Sequence, residues 1–142
     1  MLDDLRDRIA TYLLEHRVCV ISTGGSVGAW AMPVRYRLPK GSRSGRTLEV
    51  ECLLPRWADA IYHLEENPQV LLIIVDADAD GLRWLQYRGT ARPIASPDWN
   101  RLVPERTAGP RPEERYVAVH VTPERIDVLD ESAGWGARET LE

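Results

Sequence analysis

Phenylalanine is absent from this 142-residue chain; methionine and cysteine occur twice each and histidine three times. The two cysteines, Cys19 and Cys52, each lie in an apolar run. That is no disulfide framework, and it predicts reduced core residues in a cytoplasmic protein. Long hydrophobic runs are missing too. None approaches the roughly 18 residues of a membrane span, so no membrane partner is expected. The start, Met1-Leu2-Asp3-Asp4, lacks the basic and apolar regions of a signal peptide. Positive charge is in short supply. With 22 acidic against 18 basic residues the net charge is −4, which argues against a general nucleic-acid binder. Cys-x-x-Cys and Gly-x-Ser-x-Gly do not occur, so a zinc ribbon and a nucleophile elbow have no support.

What is present is ordinary globular composition, 44% hydrophobic and 28% charged. The length predicts one domain over residues 1–142, burying about two-thirds of its unfolded surface. Leu5, Ile9, Tyr12, Leu13 and His16 recur at helical spacing and predict a helix over 2–16. The period then shortens. Strands are expected at 18–23, 27–38 and 47–54, with Gly24-Gly25-Ser26 as a hairpin turn and Pro33 at an edge or bulge. Pro55 opens a helix over 56–66, which Asn67-Pro68 stops. The continuously apolar run 70–75 predicts a central strand buried on both faces. A strand over 82–94, a short helix from Ser96, a loop over 106–115 and a strand over 116–121 follow. Residues 125–129 could add a seventh strand. Short strands separated by turn signals favour a barrel or sandwich over a βαβ fold.

Few residues stand out as chemistry. Asp76-x-Asp78-x-Asp80-Gly81 begins like a calcium loop, but Tyr87 stands where the bidentate Glu belongs, so it reads as a solvated turn. His16, His63 and His120 are scattered, and His63 is the best candidate among them for a ligand contact. Five tryptophans are present. Trp135, in Gly134-Trp135-Gly136, is set in a glycine-flanked tail and could cover a planar ligand or dock on another subunit. Alternation puts Arg35 and Arg37 on one strand face, with Lys40 and Arg56 nearby. Guanidinium forks suit a phosphate, and the same spacing also fits a solvated face.

Several segments carry a resemblance: Leu14-Glu15-His16-Arg17-Val18-Cys19-Val20-Ile21-Ser22-Thr23, Pro33-Val34-x-Tyr36, Leu64-Glu65-Glu66-Asn67-Pro68-Gln69-Val70, Arg83-Trp84-Leu85-Gln86-Tyr87-Arg88-Gly89-Thr90-Ala91 and Val121-Thr122-Pro123-Glu124-Arg125-Ile126. Through them the chain resembles the pyridoxamine 5′-phosphate oxidase-like FMN-binding split barrels. The resemblance implies a mainly β fold, a six-stranded split barrel with flanking helices. It also implies a homodimer with FMN at the subunit interface and a flavin-dependent oxidoreductase acting on a small molecule. The phosphate ligands it implies are Arg35 and Lys40, with Arg56 as a third basic group and the amides near Trp57 and Ala58 as further donors. Leu53 and Leu54 fall where backbone meets the flavin. Trp84 falls where a Gln often contacts the ring. Asp59 and Ala60 stand where a second basic pair is usual, and the oxidase's own substrate-binding tail is not recognisable. The same resemblance leaves open a non-catalytic binding module, without flavin or holding haem or a deazaflavin.

Overall fold

The computed structural model describes residues 2–26, 28–39, 47–77, 80–104 and 109–142. Lys40, the rest of the 40–46 loop and Asp78 lie outside the described residues. The elements run α1 (Leu2–Glu15), β1 (Val18–Gly25), β2 (Gly28–Arg37), β3 (Val50–Pro55), α2 (Ala60–Glu66), β4 (Gln69–Asp76), β5 (Arg83–Pro93), α3 (Trp99–Leu102), α4 (Pro112–Arg115), β6 (Tyr116–Asp130) and β7 (Arg138–Leu141).

Antiparallel pairing gives the strand order β3-β2-β1-β4-β5-β6-β7, and β3 also pairs with β6. That extra pairing closes six strands into the expected barrel. β6 runs past Val121 because it changes partners. Over 116–121 it pairs with β3, and over 126–129 with β7. The residues expected as a seventh strand are therefore the second half of the sixth. The true seventh, β7, comes from the tail. A register shift opposite Arg88 and Gly89 leaves Glu124 as the extra residue of a bulge, which accommodates Pro123 inside the strand. Glu124 takes hydrogen bonds from Thr90 (2.5 Å) and Gln69 (3.2 Å).

Strand alternation sends Cys19, Ile21, Val34, Tyr36, Cys52, Leu54, Leu72, Ile74, Leu85 and Tyr87 inward, where all are buried with Leu5, Ile9 and Leu13 of α1. Two buried phenols tie the barrel wall to flanking backbone. Tyr36 donates to the Leu13 carbonyl at 2.7 Å, and Tyr87 to the Leu48 carbonyl at 2.5 Å. Burial pushes both phenols well above the usual tyrosine range. Leu48 is buried with a left-handed φ of 59°, so the chain turns there and β3 begins at Val50 rather than at Thr47.

Two other expectations change. The second helix begins at Ala60, not Arg56, because Arg56 and Trp57 form a turn closed by Ala58 N–H donating to the Pro55 carbonyl at 3.0 Å. The run 70–75 is not buried on both faces within one chain. Val70, Leu72 and Ile74 point into the barrel, whereas Leu71 and Ile73 are half-buried outside and Val75 is 46% exposed. Its apolar outer side belongs to a wider apolar face, described below. Among the described residues no helix is long and apolar enough to cross a membrane.

Candidate functional site: an arginine cleft beside an apolar sheet face

Val34 and Tyr36 take the inward positions of β2, so Arg35 and Arg37 face outward. Arg35 pairs in register with Val18 of β1 on one side and Leu53 of β3 on the other. Leu53 pairs in turn with Ala118 of β6. Outside the barrel, Leu102 of α3 buries itself on Leu53 and Ala118, with Trp99, Val103 and Tyr116 around them. Arg101 fastens α3 in place. It donates to the Leu38 carbonyl at 2.9 Å and to the Glu51 carboxylate at 2.5 Å. Asp98 caps the helix by accepting from Arg101 N–H.

These elements enclose a cleft of about 250 Å³ lined by Arg35, Arg37, Leu53, Leu102, Val103, Arg115 and Tyr116. Arg115 arrives from α4, a single turn with proline at its start and a Glu114–Arg111 capping box. Three guanidiniums thus border an apolar floor, and none can lose its proton; Arg37 donates to the Tyr36 carbonyl at 2.9 Å and Arg115 lies 5.5 Å from the centre of the Tyr116 ring.

Arg35 also borders a second surface. The outward side chains of β2, β1, β4 and β5 form rows, one of which runs Pro33, Val20, Ile73, Gln86. Next to it lie Val18, 53% exposed, Val75, and Trp84, which pairs in register with Val75. Arg35 and Trp84 thus sit at opposite margins of this face, three inter-strand steps or roughly 14 Å apart.

The structure groups some of the expected site residues and separates others. Arg35 and Leu53 line the cleft. Leu54 points into the barrel and is fully buried. The β2 pairing of β3 ends at Leu53, so β2 gives Leu54 no ladder partner. Arg56 stands behind the cleft: its N–H donates to the Arg115 carbonyl at 2.9 Å and its Nε to the Glu113 carbonyl at 2.8 Å. Trp57 is 75% exposed. Ala58 is buried, and its amide is the one already spent on the Pro55 carbonyl. Trp84 donates to Gln86 at 3.3 Å and lines a separate hollow with Leu129 and Trp135. His63 is buried and hydrogen-bonded to Thr23 at 3.0 Å, which makes it a link between α2 and β1 rather than a ligand contact. Sequence reasoning missed Arg115 and Tyr116. The local signal was a Pro112-Glu113-Glu114 helix start, but only the β3–β6 pairing brings that turn to Arg35.

The closed six-stranded barrel with its helices is the split-barrel fold of the pyridoxamine 5′-phosphate oxidase-like proteins. Among solved structures it is similar to a protein related to general stress protein 26, of the pyridoxinephosphate oxidase family, from Clostridium acetobutylicum. That match has a TM-score of 0.70 at 14% identity, covering 99% of this chain and 95% of the other. A NimC/NimA family protein from Clostridium acetobutylicum matches with a TM-score of 0.67 at 12% identity, covering 94% and 89%. A haem-binding protein from Mycobacterium smegmatis matches with a TM-score of 0.68 at 15% identity, covering 96% of this chain and 57% of its own. No family model and no curated protein sequence matches the chain.

Proposed function

We propose that this protein is a homodimeric, FMN-binding oxidoreductase that acts on a small-molecule substrate. The observation that carries the reading is the convergence of Arg35, Arg37 and Arg115 on one cleft at the border of an apolar sheet face. A phosphate ester with nearly two negative charges needs fixed local donors here, because a net charge of −4 offers no general attraction. The cleft supplies them, so its residues fit the group. Arg35, Arg37 and Arg115 would hold the phosphate, with the backbone at Leu53 and Leu54 facing the flavin. A bound FMN supplies the hydride-transfer chemistry through its ring. The chain's own part is to anchor the phosphate, to orient the cofactor against Val18, Val75 and Trp84, and to exclude water from that face.

The apolar face is also the reason for the dimer. Val18 and Val75 are about half exposed on a surface that otherwise carries Val20, Pro33, Ile73 and Trp84, and a second copy of the same face would cover it. Light scattering at micromolar concentration is expected to give twice the 16.1 kDa chain mass. A monomer mass would remove a site shared between subunits.

The second reading, a non-catalytic module that lacks flavin or holds haem or a deazaflavin, is favoured by Asp59 and Ala60. Asp59 is exposed at the start of α2 where the related proteins usually place a basic group. The visible spectrum of the purified protein separates the two readings. Flavin bands that survive gel filtration are expected. A Soret band selects the haem module, and a featureless spectrum even after incubation with FMN contradicts the oxidoreductase.

A further inference from the structure

Strand alternation places a carboxylate next to the arginine cleft. Glu51 lies two residues before Leu53 on β3 and shares its outward face, about 7 Å along the strand from the cleft floor. It stands in register with Arg37 of β2 on one side and His120 of β6 on the other. His120 is itself engaged with Glu49 at 3.2 Å. Only 8% of the Glu51 side chain is exposed, so water and salt screen its charge poorly. Left uncompensated, an anion in that position opposes any phosphate the cleft would hold.

Arg101 answers it. α3 carries Arg101 over the outer side of β3 beside Leu102, which packs on Leu53. One terminal nitrogen of its guanidinium donates to the Glu51 carboxylate at 2.5 Å, and the other to the carbonyl of Leu38, the residue after Arg37. Arg101 is not part of the cleft lining. Spent on Glu51 and Leu38, its terminal nitrogens are turned away from a ligand there; what it supplies beside the cleft is a compensating charge.

We propose that Arg101 is a positioning residue for the anion site and acts through Glu51. It cancels the buried carboxylate beside Arg37, so that the guanidiniums of Arg35, Arg37 and Arg115 keep their field for a phosphate ester. This role rests on the reading of the cleft as a phosphate site, whichever ester carries the phosphate. A purely mechanical role for the pair, holding α3 down, has the opposite consequence when the Glu51 charge is removed: it loosens the cleft wall and weakens the ligand.

Glu51→Gln separates the two roles, because the carboxamide keeps the shape and still accepts from Arg101 while the negative charge is gone. Its affinity for FMN, read by flavin fluorescence, should rise about 3- to 10-fold. Arg101→Met leaves the carboxylate uncompensated and should lower the affinity at least about 10-fold. Adding Glu51→Gln to Arg101→Met should restore it to within about 3-fold of wild type. Glu51→Gln carries the test alone if Arg101→Met does not fold. Inorganic phosphate, followed by the amide shifts of Leu102 and Val103, is titrated into the same variants. Phosphate binding in this order with no FMN binding removes the flavin and leaves the role of Arg101 standing. FMN binding that Glu51→Gln fails to strengthen, or a double variant no tighter than Arg101→Met, overturns the role of Arg101 and leaves the flavin reading standing. Wild-type protein that binds neither anion overturns both.

Discussion

Arg35→Ala is expected to weaken FMN binding by roughly 10- to 150-fold, the equivalent of one charge-assisted hydrogen bond of about 1.5–3 kcal/mol. The residue is exposed at the margin of the arginine cleft and takes no part in the barrel interior, so the variant should keep the wild-type fold and melting temperature. Arg115→Ala should bring a loss of the same order, because its guanidinium enters the same cleft from α4. That second variant is informative because nothing in the local sequence marks Arg115 as part of a site. Titrations followed by the quenching of flavin fluorescence read both effects. Unchanged FMN affinity in Arg35→Ala removes the phosphate assignment.

Gly89→Ala is expected to cost about 2–4 kcal/mol of stability, a range that spans the upper end for overpacking a core. Gly89 lies at the β5–β6 bulge, and a Cβ there would stand 2.5 Å from the Thr122 carbonyl oxygen and 3.0 Å from Val121 Cγ1. The obstacle is backbone of the neighbouring strand, which has no rotamer with which to withdraw. Arg88→Ala, one residue earlier on the exposed side, should change stability by less than about 0.5 kcal/mol. Urea unfolding of the two variants makes the comparison, and a Gly89→Ala loss as small as that of Arg88→Ala contradicts the bulge geometry.

The strands were legible where a single physical signal dominated. β1, β2 and β5 alternate cleanly, and Pro33 sits where β3 has not yet joined β2, so its missing donor costs nothing on that edge. Legibility failed where long-range pairing decided the outcome. Pro123 reads as a strand end, yet the bulge at Glu124 carries the strand through it. Arg138–Leu141 is too short and too charged to announce a strand, and becomes one only because β6 leaves an open edge after β3 departs. The apolar run 70–75 announced its strand but not that a single chain leaves its outer side uncovered, because periodicity records that both sides are apolar and not what covers them. The site followed the same division. Arg35 and Arg37 share a face by alternation alone. Arg115 is eighty positions later and reaches them through the β3–β6 closure, which no local pattern encodes.

An arginine cleft that holds a flavin by its phosphate must tell FMN from riboflavin. Parallel titration of the wild-type protein with FMN and with riboflavin tests it most directly, since the two ligands share the ring and differ in the phosphate. Saturable binding of FMN is expected, with riboflavin weaker by at least about 10-fold and its affinity unmoved by Arg35→Ala. Equal affinity for the two flavins, or no binding of FMN, would contradict it.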